Sequence, residues 1–130
     1  MLTAAETGPR TFDNAVLLMK DGKIEALGPA SEVAVPDGYE VVDCGDNWLM
    51  PGMVELHNHT ASGYLPFPAD LNDTVYLTNT GLSVACSVRP GNALLKRGVA
   101  SGVTTVLYIP GSGSNMGGGG VLLKLSLIHI

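Results

Sequence analysis

The fold is decided by Pro51-Gly52-Met53-Val54-Glu55-Leu56-His57-Asn58-His59, a short apolar run that ends in two histidines. Side chains alternate between the two faces of a β-strand, so His57 and His59 are expected to project from the same face. Two imidazole nitrogens that converge on one point form half of a zinc-type site, because catalytic zinc takes three protein ligands and keeps a fourth position for water. The spacing alone leaves a second interpretation open, in which both are ordinary histidines at a strand edge.

Further motifs stand in a fixed order around this run. Asp21-Gly22-Lys23-Ile24-Glu25-Ala26-Leu27-Gly28 and Val41-Val42-Asp43-Cys44-Gly45 precede it, and Gly102-Val103-Thr104-Thr105-Val106 follows it. Together with the His-x-His strand, these motifs resemble the opening of the amidohydrolase superfamily. Pro110-Gly111-Ser112-Gly113-Ser114 and the glycine-rich loop behind it look most like the imidazolonepropionase-like branch. The resemblance extends over nearly the whole chain up to Lys124.

The resemblance implies an α/β fold in which the start of a TIM-like (β/α)8 barrel follows part of a small β-sandwich. We expect residues 1–50 to form the partial sandwich and residues 51–124 to form the first β-α-β portion of the barrel. A complete barrel needs roughly 250 residues, whereas the chain has 130. The sequence therefore predicts a truncated, N-terminal fragment of a longer protein.

The last six residues, 125–130, have a different character. Leu125-Ser126-Leu127-Ile128-His129-Ile130 matches one reading frame of a widely used transposon-end sequencing adapter, and the family-like sequence stops immediately before it. We interpret this segment as an adapter tail, so His129 is not a candidate ligand. The alternative is an ordinary strand, because leucines alternate with polar residues across this stretch.

The resemblance also implies a divalent metal, most readily zinc and as one or two ions, with His57 and His59 as its first ligands. Metal-activated water is expected to attack the carbon of a C–N bond, in a cyclic amide such as an imidazolone-type ring or in a dipeptide-like amide. The general base and the substrate-binding residues stay unassigned, since the later strands are missing and the fragment is expected to be inactive. The alternative is a non-catalytic metal-binding module or a degenerate relative of the superfamily.

Composition limits the partners. The net charge is -5 and the isoelectric point is about 4.9, which argues against nucleic acid because phosphate binding depends on clustered Lys and Arg. No apolar run approaches the roughly 18 residues that span a bilayer, and the N-terminus lacks the features of a signal peptide. We therefore expect a cytoplasmic protein with a small-molecule substrate, and the oligomeric state is left open.

Local signals predict several secondary-structure elements. Asp-Gly between two apolar runs predicts a β-hairpin, and an Asn before and a Gly after an apolar segment predict a helix. The expected elements are a hairpin over 15–27, short strands over 39–43 and 47–50, a helix over 92–102 and a buried parallel strand over 103–109.

Four further expectations concern side chains and one loop. Glu55 is expected on the face of the histidine pair as a buried, hydrogen-bonded carboxylate. Cys44 and Cys86 are expected to be small buried hydrophobes. Asp70 and Asp73 are interpreted as turn or helix caps rather than substrate contacts. The glycine-rich run over 111–120 is expected to form a flexible loop at the mouth of the site.

Overall fold

The computed structural model describes residues 1–62 and 78–125. The chain divides into two compact units, Met1–Pro51 and Gly52–Ile130. The strands are β1 (Ala15–Lys20), β2 (Lys23–Pro29), β3 (Met53–Asn58), β4 (Val103–Tyr108) and β5 (Val121–Lys124), and the helices are α1 (Ala93–Ala100) and the 3-10 helices Thr60–Ser62 and Val84–Ser87. This is a mixed α/β architecture, as the sequence predicts. None of the helices in the described ranges is long and apolar enough to cross a membrane.

The first unit is built around the predicted hairpin. β1 and β2 pair in antiparallel register, and the two residues between them, Asp21 and Gly22, have φ angles of 51° and 73°. Positive φ at both central positions is the requirement of the two-residue turn that matches the twist of the strands. The hairpin prediction is confirmed, with β2 extending to Pro29.

The strands predicted over 39–43 and 47–50 do not form, and this part of the prediction is wrong. A strand needs a partner for its backbone groups, and Leu49 receives a single ladder-like hydrogen bond, from Leu2 N to its carbonyl at 2.8 Å. Val41, Val42 and Trp48 consequently remain largely exposed. The β-branched residues of this stretch favour strand conformation, but a strand forms only where a neighbouring strand pairs with it.

The second unit contains a three-stranded sheet in the order β3-β4-β5. β3 and β4 are parallel, and α1 lies between them in sequence, as a parallel connection requires. β5 runs antiparallel to β4, which departs from the all-parallel sheet that a barrel start predicts. The reason lies in the connection, because the stretch between β4 and β5 contains no helix and turns the chain directly back.

The core of the second unit lies under β4. Its buried members are Ala61, Val84, Leu95, Val106, Tyr108 and Leu125. The Tyr108 side chain is fully buried, and its hydroxyl is 3.0 Å from the Ser87 Oγ, which satisfies its hydrogen-bonding group. Leu125, the first residue of the interpreted tail, packs here and its N–H donates to the Thr104 carbonyl at 2.7 Å. Residues 126–130 lie outside the described part of the chain.

Two residues of the glycine-rich run form bridges to the segment before α1, and the flexibility expected of this loop stays a prediction. Isolated bridges join Thr78 to Met116 and Ser83 to Gly119. A Cβ on Gly118 would lie 2.6 Å from the Leu82 carbonyl oxygen, and the φ angle there is +95°. Close backbone approach explains this glycine, because only a residue without a Cβ fits such a position.

Both cysteines are exposed thiols, so the prediction of buried cysteines is also wrong. Cys44 lies in the uncovered segment after the hairpin. Cys86 lies on the short helix Val84–Ser87, where Val84 turns inward and the thiol contacts the Ser83 carbonyl at 3.2 Å. Neither position packs against the core cluster.

Candidate metal centre

The two histidines meet at the C-terminal end of β3. His57 is exposed on the strand and His59 follows it, half-buried. Their Nε2 atoms are 3.2 Å apart, and the rings meet edge to face with centroids 5.0 Å apart. The convergence expected from the alternation of strand side chains is therefore present in the structure. Metal binding by the pair stays a prediction.

The separation of the two nitrogens fits a metal of the zinc type. Zinc binds imidazole nitrogen at about 2.0–2.1 Å, so two ligands of one tetrahedral ion lie about 3.3–3.4 Å apart. The observed 3.2 Å differs from that value by little more than a tenth of an ångström. Neutral imidazole nitrogens are also ligands that zinc prefers. The distance between the two nitrogens is therefore compatible with a shared ion, and it is also that of a hydrogen bond between the rings.

The second ring nitrogen of His59 has a partner that sets the orientation of the ring. His59 Nδ1 is 3.0 Å from the Ile109 carbonyl oxygen. A carbonyl only accepts, so Nδ1 carries the proton and a neutral ring keeps its lone pair on Nε2. Metal-binding histidines characteristically donate their other N–H to a carbonyl or carboxylate in this way. The end of β4 therefore directs the Nε2 lone pair of His59 toward His57.

Glu55 is hydrogen-bonded as expected, but the expectation that it is buried is wrong. Its side chain is exposed rather than buried, and its carboxylate accepts a hydrogen bond from Asn58 Nδ2 at 2.7 Å. The physical reason is that no layer covers this face of β3 in the described residues. His57, two residues further along on the same face, is exposed as well.

Asn58 is the residue beside the pair that sequence reasoning missed. It is 6% exposed, and its Oδ1 accepts from Thr60 N and from Thr60 Oγ1 at 2.9 and 2.8 Å. Regular alternation would place its side chain opposite that of Glu55, yet the two are hydrogen-bonded. By alternation, position 58 shares a strand face with Val54 and Leu56, so a polar residue on this otherwise apolar face was the available signal.

The helix α1 is anchored to the chain just after the histidines. Asn92 is its N-cap, as predicted, and its Oδ1 accepts from Leu94 N and Leu95 N. Asn92 Nδ2 donates to the Ala61 carbonyl at 3.1 Å, and Arg89 N donates to the same carbonyl at 2.8 Å. One asparagine thus joins the helix start to the turn that follows His59.

The described residues do not complete a metal site by themselves. Within 1–62 and 78–125 no group of three or more His, Cys, Asp or Glu side chains is arranged to hold a metal ion. Asp70 and Asp73, interpreted as caps, lie outside the described residues, as does His129. The site is therefore a two-nitrogen donor set, which needs further ligands to hold an ion tightly.

Comparison with known proteins gives consistent relatives. The chain is 31% identical to an imidazolonepropionase of Rhizobium rhizogenes over 96 residues, which cover 69% of this chain and 24% of the relative. It is 34% identical to an imidazolonepropionase of Brucella anthropi, over 78% of this chain and 30% of the relative. No protein-family model matches the chain.

The fold has a solved counterpart. The crystal structure of an amidohydrolase from Thermotoga maritima superposes with a TM-score of 0.76 and 28% sequence identity, covering 86% of this chain and 29% of that one. The chain thus spans about a quarter to a third of the length of the relatives it matches.

Proposed function

We propose that this chain, an imidazolonepropionase-like segment of the amidohydrolase superfamily, supplies the first two metal ligands of a hydrolase that cleaves C–N bonds. The observation that carries the proposal is the 3.2 Å approach of the two Nε2 atoms. The hydrogen bond of His59 Nδ1 to the Ile109 carbonyl supports it, because it leaves the metal-facing nitrogen unprotonated. An ordinary pair in which His57 Nε2 donates to His59 Nε2 has the same two contacts, so zinc binding itself distinguishes the two interpretations.

The chemistry follows from the donor set. A divalent ion of the zinc type supplies Lewis acidity, which polarises a carbonyl group and makes water a stronger acid. His57 and His59 would hold the ion, and the Ile109 carbonyl at the end of β4 orients the ring of His59. The proposed substrate is a cyclic amide of the imidazolone type, with dipeptide-like amides as the second class, because the curated relatives are named imidazolonepropionase.

The same proposal covers the larger fold. β3, α1 and β4 would be the first β-α-β unit of a TIM-like barrel, and Met1–Pro51 would be part of a β-sandwich. The parallel pairing of β3 and β4 supports the first assignment, as does the position of the histidines, since barrels carry their active sites at the C-terminal ends of strands. The exposed apolar side chains of β3, Val54 and Leu56, are those that the outer helices of such a barrel would cover.

Zinc titration of the purified chain tests the ligand assignment. His57→Ala and His59→Ala should each weaken zinc binding at least tenfold in calorimetry, because one imidazole alone is a poor site. His129→Ala is the matched control and should leave the affinity unchanged. Equal zinc affinity in wild type and His57→Ala would refute the assignment.

Hydrolysis is expected only from a protein that supplies the remaining ligands. The 130-residue chain should show no metal-dependent turnover of cyclic amides, because two nitrogens hold the metal weakly and the described residues offer no assigned base. Turnover that a chelator and His57→Ala both abolish would contradict this. A longer protein that continues this sequence and binds zinc without turnover would favour the non-catalytic alternative.

A further inference from the structure

β3 is irregular at the point where it carries the first histidine. Glu55 pairs with Val106, and Asn58 pairs with Tyr108, so β3 advances three residues while β4 advances two. Leu56 and His57 therefore share one position opposite the partner strand, which is the arrangement of a β-bulge. A bulge changes where the following side chains point. Here it lies directly between Glu55 and Asn58.

The carboxamide of Asn58 makes hydrogen bonds to residues on both sides of this bulge. Its Nδ2 donates to Glu55 Oε2 at 2.7 Å, which ties it to the residue before the bulge. Its Oδ1 accepts from Thr60 N and Thr60 Oγ1, which ties it to the turn after His59. The side chain is nearly fully buried, so water does not compete strongly for these hydrogen bonds.

The backbone of Asn58 connects these hydrogen bonds to the imidazole of His59. Ile109 N donates to the Asn58 carbonyl at 3.0 Å, and the Ile109 carbonyl accepts from His59 Nδ1 at 3.0 Å. One residue at the end of β4 therefore holds both the strand and the ring. A shift of register by one residue would turn the side chains to the other face, and His59 would lose its acceptor.

We infer that Asn58 is a positioning residue for the His57–His59 pair, and that its carboxamide acts by fixing the bulge that aims His59 Nε2 at His57 Nε2. The inference rests on the proposed function, since the pair matters as a metal-binding pair. The site needs a donor toward the Glu55 carboxylate and an acceptor toward Thr60, and an asparagine supplies both. Aspartate keeps the acceptor but places a second carboxylate against Glu55.

The test reverses the direction of the hydrogen bond between positions 55 and 58, so that the residue at 55 donates and the residue at 58 accepts. Asn58→Asp alone should weaken zinc binding about tenfold, the lower end of the effect of removing a partner of a metal ligand. The double variant Glu55→Gln with Asn58→Asp restores one donor and one acceptor and should recover the wild-type affinity to within about threefold. Glu55→Gln alone is the matched control and should keep near-wild-type affinity, because Gln accepts from Asn58 through its amide oxygen.

A second measurement does not depend on metal. Two-bond 1H–15N NMR spectra of the metal-free chain report which ring nitrogen of His59 is protonated. Wild type and the double variant should show the Nδ1–H form, and Asn58→Asp should show a mixture of the two tautomers. If wild type binds no zinc, the proposed function fails, whereas the tautomer of His59 still decides the role of Asn58.

Thr60→Val covers the case in which Asn58→Asp does not fold. It removes the hydroxyl hydrogen bond to Asn58 Oδ1 without changing charge or size much, and it should shift part of the His59 population away from the Nδ1–H form. Unchanged tautomers in Thr60→Val and in any folded Asn58→Asp chain would overturn the inference. A folded double variant that shows the same defect as Asn58→Asp would overturn it as well.

Discussion

Gly52 shows how a single backbone position prepares the site. Met53 pairs with Val103 and Val54 pairs with Thr105, so Thr104 is an extra residue on β4. Its side chain occupies the space where any other residue at position 52 would carry a Cβ, with Oγ1 only 2.1 Å from that point. The close approach of the two backbones at the start of β3 therefore depends on this glycine.

Gly52→Ala should destabilise the chain by roughly 1–3 kcal/mol, the typical cost of forcing an extra methyl group into occupied space. Urea unfolding followed by circular dichroism measures the difference. Gly81→Ala is the matched control, because a Cβ there meets nothing within 4 Å and its φ is not in the left-handed region. Equal stability of the two variants would show that Thr104 moves aside without cost.

Among the single residues of the site, the two histidines could be predicted from the sequence and the residues that support them could not. Alternation along a strand predicts that His57 and His59 share a face, and this prediction needs only the residues themselves. The contact between Glu55 and Asn58 depends on the bulge, and the bulge arises from pairing with β4, some fifty residues further along. The two-residue spacing thus predicts the ligands but not the residue that holds them.

At the scale of the element, α1 depends on one capping residue with two functions. Asn92 Oδ1 caps the first turn by accepting from Leu94 N and Leu95 N. Its Nδ2 donates to the carbonyls of Ala61 and Arg89. Asn92→Ala should cost about 0.5–2 kcal/mol for the lost cap, and a further amount for the lost tie to Ala61. Thermal unfolding followed by circular dichroism at 222 nm measures the total.

Asn92→Asp separates the two functions. It keeps the capping oxygen and removes both Nδ2 donors, so its stability should fall between that of wild type and that of Asn92→Ala. The favourable placement of a negative charge at a helix start makes the remaining cap stronger. An Asn92→Asp chain as unstable as Asn92→Ala would show that the tie to Ala61, and not the cap, carries the stability.

Elements with local causes were predictable, and elements with distant causes were not. The Asp-Gly turn and the Asn92 cap are complete within a few residues, and both appear where the sequence predicts them. The stretch over 39–50 has strand-forming residues but no strand, because pairing needs a partner from elsewhere. Met116 and Gly119 in the glycine-rich run form bridges to Thr78 and Ser83, which no local pattern indicates.

For the whole molecule, the balance between buried and exposed apolar surface is unusual. Among the described residues, the buried core of the second unit has six members, of which Val106 and Tyr108 are the largest that are fully buried. Many large apolar side chains remain exposed in both units; they include Val42, Trp48, Met50, Val54, Leu56 and Leu122. Exposed apolar side chains in such number favour association or aggregation.

The isolated chain should therefore be marginally stable, because the burial of a few side chains barely offsets the conformational entropy that folding costs. We expect a broad thermal transition, binding of the dye ANS at neutral pH, and loss of monomer in size-exclusion chromatography as concentration rises. Hydrogen exchange should be slowest in β4, whose side chains are the most buried, and faster in the exposed stretch 39–50. ANS fluorescence of the urea-unfolded chain is measured in parallel as the baseline for dye binding. A single sharp transition without dye binding, with slow exchange through both units, would show that these residues bury enough surface to fold as a stable unit on their own.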